Sequence, residues 1–211
     1  MDKSIMTRLL HGLLALAVIH QLAVSLVMEP PKRGHDAPGL PGALFDLHEG
    51  VGLFTLGVVV AFWLWTLVRR RETPVSALLP WFFRGRRRDL AQDLAQYAAA
   101  LRRRRMPEYR PRSPLPAAVH GLGLLVITAM GATGAVIYFT QGQPGVAGQV
   151  AKATWEVHEA LANLAWAYFI GHAALGVLHG VLGHDIVRPM FRLRASVPSQ
   201  TVPEETSNPA S

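Results

Sequence analysis

Between Gly50 and Val68, and again between Leu115 and Thr140, the chain carries no charged side chain. A helix needs about 20 predominantly apolar residues to cross the hydrocarbon core of a bilayer. Two further runs, Leu9–Met28 and Val157–Gly183, reach that length. Such runs form helices, because a backbone facing lipid must satisfy its polar groups within its own segment. The expected fold is all-α, a transmembrane four-helix up-and-down bundle with spans at about 9–28, 47–68, 115–140 and 157–183. Only 17% of the residues are charged and cysteine is absent. The missing thiols exclude a disulfide scaffold, a zinc–thiolate module and an iron–sulfur protein. The first span has the look of a signal peptide. It is long, however, is interrupted by His11 and His20, and lacks a small-x-small cleavage site, so it is expected to be retained.

The net charge of +7 is segregated. Lys3 and Arg8, thirteen Arg between residues 69 and 113, and Arg188, Arg192 and Arg194 make 18 of the 21 basic residues. Only Lys32, Arg33 and Lys152 fall in the other two loops. The positive-inside rule then puts both termini and the basic loop 69–113 in the cytoplasm. Topogenesis and anionic membrane lipid account for the charge, so nucleic acid is not an expected partner. Within the loop, Leu90, Leu94, Tyr97 and Leu101 recur at helical spacing, with Asp89 and Asp93 at the front and Arg102–Arg105 at the back. This pattern predicts a short amphipathic helix on the inner membrane surface. Residues 1–195 form the expected membrane domain, and the Ser/Thr/Pro/Asn-rich residues 196–211 a disordered tail.

Seven of the nine histidines lie in or at the edges of the spans: His11, His20, His48, His120, His158, His172 and His179. Polar groups are costly in hydrocarbon, and several at matched depths point to a cofactor, an ion path or a proton relay. His158 and His172 are fourteen residues apart, about 21 Å of helix and about 40° around its axis. His179 continues the stripe. His11 is expected near the level of His172, and His48 near that of His158. The arrangement suits two six-coordinate haems b stacked across the membrane, each held by two neutral imidazoles and needing no cysteine attachment. Because His11-Gly12-Leu13 echoes His120-Gly121-Leu122, His120 rivals His172 as the partner of His11. His172 is preferred, since one helix then carries both haems on one stripe. His20, opposite His11 on its helix, is expected to make an interhelical hydrogen bond. His35 and His184 receive no role. Gly50, Gly52, Gly121, Gly123, Gly171 and Gly176 serve either a closely approaching macrocycle or close helix packing, and packing is preferred for each alone. Asp46-Leu47-His48-Glu49 and Glu156-Val157-His158-Glu159 each open a span, so their acids would suit a helix N-terminus or orient an imidazole N–H.

The run Val157-His158-Glu159-Ala160-Leu161-Ala162-Asn163, followed by Ile170-Gly171-His172-Ala173-Ala174, His179 and Asp185, resembles the fourth helix of the bacterial cytochrome b561 family. The fourteen-residue histidine interval belongs to that pattern, as do a histidine early in the first helix and one opening the second. The resemblance covers roughly residues 5–190. It implies a four-helix membrane cytochrome with two haems b, His11 and His172 ligating the inner one and His48 and His158 the outer. The long arginine-rich loop departs from the shortest family members. It is similar to that of related membrane cytochromes b which anchor hydrogenase, formate dehydrogenase or thiosulfate reductase complexes.

The expected function is transfer of electrons between the periplasmic side and the quinone pool of the bacterial inner membrane, with ubiquinone or menaquinone as exchangeable partner. The chain would act as a carrier or as the haem-b subunit of a respiratory oxidoreductase, with a periplasmic redox protein or an oxidoreductase subunit as partner. His179 and His120 are the candidates to bind a quinone head group and carry its proton. A self-sufficient superoxide:quinone oxidoreductase, an activity found in the family, is the alternative. A metal or proton transporter using the histidines is the alternative of a different class. It predicts acidic residues deep in the spans, whereas Glu49, Glu156 and Glu159 lie at their expected outer boundary.

Overall fold

The computed structural model describes residues 4–31, 38–69, 73–103 and 113–181. The expected tail at 196–211, the arginines that precede it, His35 and His184 lie outside the described residues. Six α-helices follow one another: α1 (Ile5–Val24), α2 (Leu40–Val68), the single turn α3 (Val75–Leu78), α4 (Arg84–Arg102), α5 (Pro114–Thr140) and α6 (Val146–Val181). A 3-10 turn at Pro80–Phe82 joins α3 to α4, and there is no strand among the described residues. Helices α1, α2, α5 and α6 are long and apolar enough to cross a membrane.

The spans begin where the backbone is punctuated, which is earlier than hydropathy places them. Helix α1 starts after Ser4, whose hydroxyl accepts from the Thr7 backbone N–H at 3.3 Å. Helix α2 opens behind Gly39, at φ 73°, with Pro41 in its first turn, and α6 opens directly after Gly145, at φ 69°. Positive φ is nearly free for glycine, and proline in the first turn lacks only an N–H that would go unbonded there. The two acidic tetrads therefore lie inside their helices, and neither α2 nor α6 has an acidic residue in its first turn. This corrects the expectation that these acids sit at helix N-termini, because the dipole field fades within one turn.

The amphipathic helix is corrected in the same way. Helix α4 starts at Arg84, so Arg84, Arg86, Arg87 and Arg88 occupy its front and Asp93 its middle. Asp93 is buried at 6% exposure, accepting from the Ser113 hydroxyl and, at 3.2 Å, from the Leu115 backbone N–H. Ser113, the N-cap residue of α5, makes no side-chain cap bond of its own. The cap of α5 thus comes from α4, which ties the basic segment to the bundle.

Sequential helices are neighbours, α1 with α2, α2 with α5 and α5 with α6, as an up-and-down bundle requires. Leu10, Val58, Val59, Phe62, Leu78, Leu124 and Ile127 form one core cluster, and Leu22, Val126 and Ala165 a second. Trp65 Nε1 donates to Thr7 Oγ1 at 3.1 Å, and Trp63 Nε1 to Thr128 Oγ1 at 3.0 Å, joining α2 to α1 and α5. Leu16, Leu64 and Ile170 instead point outward, more than half exposed, as side chains facing lipid do. On α5, a Cβ at Gly121 would overlap the Leu78 carbonyl, so α3 lies directly against this helix. Helix α6 is the least enclosed span, with 6% of its apolar window buried against 28% for each of the others. A cleft remains between α6 and the α1–α2 pair, and His48 and His158 line it.

Candidate haem sites

Helices α1, α5 and α6 bring His11, His120 and His172 together on the side of the bundle where α3 and α4 lie. Their ligand atoms all fall within 4.8 Å of one another. Ring centroids are 6.4 Å apart for His11 and His172, 6.3 Å for His11 and His120, and 5.2 Å for His120 and His172. Tyr168, one turn before His172 on α6, stacks on its ring at 5.4 Å and 10°. The Tyr168 hydroxyl lies where a Cβ at Gly123 would be. His120 Nδ1 donates to the Pro116 carbonyl at 2.6 Å, whereas His11 Nδ1 is buried without a hydrogen-bond partner. The rivalry between His120 and His172 therefore has a geometric basis, since both reach His11.

His48 of α2 and His158 of α6 line a cleft at the far side of the bundle, together with Gln21, Gly52, Met130 and Trp155. His158 Nδ1 is 2.8 Å from Thr133 Oγ1. Gln21 Nε2 donates to the His48 carbonyl at 2.9 Å. It can approach because residue 52 is glycine, where a Cβ would stand 2.9 Å from that nitrogen. His48 Nδ1 and Gln21 Oε1 are buried without partners. Two of the neighbouring acids bond elsewhere. Glu49 accepts from the Gln141 amide and Glu159 from Trp155 Nε1, because residues one or two apart on a helix do not face each other.

Helix α6 is unbroken from Val146 to Val181, so His158 and His172 are held at two levels about 21 Å apart. His20 Nδ1 is buried and unpartnered, so the interhelical hydrogen bond expected of it is not formed there. His179 lies near the end of α6, and its side chain is outside the described residues. Gly52, Gly121 and Gly123 permit close packing, while nothing lies within 4 Å of a Cβ built at Gly50, Gly171 or Gly176.

Thr133, Gln21 and Tyr168 have no part in the reading from sequence. Gln21 had a signal, as an amide within an apolar run. Thr133 had none, because threonine is ordinary in a membrane helix and its partner is 25 residues away.

Both places fit haem b. Two imidazoles on one iron set their ligating nitrogens ~4 Å apart, as two metal–nitrogen bonds of about 2 Å. The α3-side histidines meet that requirement within 4.8 Å. The far-side cleft is lined mostly by apolar side chains with a few polar groups among them, as cofactor pockets are. Its pair of imidazoles and the orphaned, buried Nδ1 of His48 suit a group that is brought in from outside.

The family profile described as prokaryotic cytochrome b561 matches residues 3–193. No curated protein and no solved structure matches the chain significantly. With four apolar helices and clustered intramembrane histidines, the chain belongs to the prokaryotic cytochrome b561 family and is a multi-pass membrane protein that binds haem b and transfers electrons.

Proposed function

We propose that the chain is a di-haem cytochrome, with His11 and His172 holding one haem b on the α3 side and His48 and His158 holding a second on the far side. One observation carries this reading. His158 and His172 lie fourteen residues apart on the unbroken α6, and each has a histidine of another helix close by. His11 is 6.4 Å from His172 between ring centroids, and His48 lines the same cleft as His158. Held by two imidazoles, haem b is a one-electron carrier with no open iron position for oxygen. The chain's own part is to set the ligands at two depths, to orient their rings and to surround them with apolar side chains.

The basic residues around α4 make the α3 side the cytoplasmic face of the bacterial inner membrane, with both termini on it. The chain then links a periplasmic redox partner or oxidoreductase subunit to the quinone pool, ubiquinone or menaquinone. His120, next to the α3-side pair, and His179, further along α6, are the groups that would bind a quinone head and carry its proton.

The test is a reduced-minus-oxidised spectrum of the detergent-purified protein with haem quantitation. Two haems per chain are expected; one haem, or a colourless protein, overturns the reading. Anaerobic addition of purified quinol should then reduce the haem. Absence of reduction under any condition overturns the quinone link alone.

A further inference from the structure

The carbonyls around the Thr133 hydroxyl bear on the direction of its hydrogen bond with His158. The Thr133 hydroxyl lies 2.8 Å from the Ala129 carbonyl and 3.0 Å from that of Met130, both on its own helix α5. Carbonyls only accept, so two acceptors on its own helix compete for the one hydroxyl proton. The lone pair of Oγ1 is left to face His158 Nδ1 at 2.8 Å, and that nitrogen is therefore the N–H donor. A neutral imidazole carries one proton. With that proton on Nδ1, Nε2 keeps the lone pair that binds a metal. Next along α5, Gly134 has no side chain, and a Cβ there would reach His158 Cε1 at 3.4 Å. Thr133 and Gly134 together seat the ring, the first through a hydroxyl and the second through bare backbone. The other imidazole of the cleft has no such seat, since its Nδ1 is buried without a partner.

We propose that Thr133 is a positioning residue for His158: its hydroxyl oxygen accepts the Nδ1 proton, selects the tautomer that offers Nε2 to the far-side haem, and strengthens His158 as a donor to ferric iron. The inference rests on ligation of that haem by His158. Partners to the outer nitrogen of a ligating imidazole raise its basicity, and their loss typically changes affinity 10–100-fold. A more basic ligand favours ferric over ferrous iron, so removing the acceptor raises the midpoint potential.

The test uses the haem-loaded protein with Thr133→Val, which keeps the branched shape, Thr133→Ser, which keeps the hydroxyl, and His158→Ala as reference. The component missing from the redox titration of His158→Ala identifies the far-side haem. Thr133→Val should shift the ferric–ferrous balance of that component about tenfold towards ferrous, an upward step of ~59 mV for one electron. The other haem should stay in place, and Thr133→Ser should titrate like the native chain. Loss of the far-side haem in Thr133→Val with retention in Thr133→Ser also supports the inference. An unchanged far-side potential in Thr133→Val, equal shifts of both haems, or a Thr133→Ser variant behaving like Thr133→Val overturns it. Retention of both haems in His158→Ala overturns the ligand assignment instead, so the two failures are distinguishable.

Discussion

The α3-side cluster and the far-side cleft use the same donor chemistry in different surroundings. On the α3 side three imidazoles from three helices lie within 4.8 Å, Tyr168 stacks on one of them, and glycines on α5 admit Tyr168 and the α3 backbone at close range. On the far side two imidazoles share a cleft, Thr133 reaches the ring of His158, and Gln21 reaches the backbone carbonyl of His48. An iron held by two imidazoles would leave one histidine over on the α3 side, whereas His48 and His158 are the two histidines that line the far-side cleft. A third imidazole and tight packing go together at one level, and an imidazole pair in an open cleft at the other.

The largest expected effect follows from that count. His48→Ala or His158→Ala should each lose one of two haems, read by haem quantitation, because the cleft has no third histidine among the described residues. On the α3 side His172→Ala should also lose one haem, while His120→Ala should keep both. Retention of both haems in His172→Ala with loss in His120→Ala would reverse the assigned pair and make His172 the spare ligand.

Packing effects come next. Gly121→Ala drives a methyl into the Leu78 carbonyl, a backbone atom with little freedom to move. It should destabilise the protein by about 1–3 kcal/mol, as overpacking does, seen as a lower melting temperature in detergent. Asp93→Ala removes the cap that α4 lends to α5, at a cost of about 1 kcal/mol. Proteolysis within α4 should then become faster, and an unchanged rate would show that the cap does not hold the basic segment. The smallest effect is expected from Gly134→Ala. Its methyl would only touch the His158 ring at 3.4 Å, so stability should stay within about 1 kcal/mol of the native chain. A large loss there, with Gly121→Ala tolerated, would invert the contrast between a tight α3 side and an open far side.

The spans were legible because a bilayer imposes a length and a polarity that any apolar run reveals. Their starts were not, since Gly39 and Gly145 end the preceding turns by φ rather than by hydropathy. Asp93 shows the same limit. Its sequence position suits a first-turn acid, yet the helix begins nine residues earlier and the carboxylate serves another helix. The fourteen-residue interval of α6 was readable because both histidines lie on one rigid helix. The meeting of His120 with His11 and His172 was only half readable, as a rivalry, because the rotation of α5 relative to α1 and α6 has no local signature.

The amino-acid order alone determined that this is a helical membrane protein, which side of it is basic, and that imidazoles stand at two depths. Each of these is a property of one segment in its solvent, set by periodicity and transfer free energy. Tertiary structure decided which rings lie together, which hydroxyl meets His158 Nδ1, and where Asp93 finds its donors. Those depend on how one helix is turned and shifted against the next, and that is settled by the packing of all the faces together.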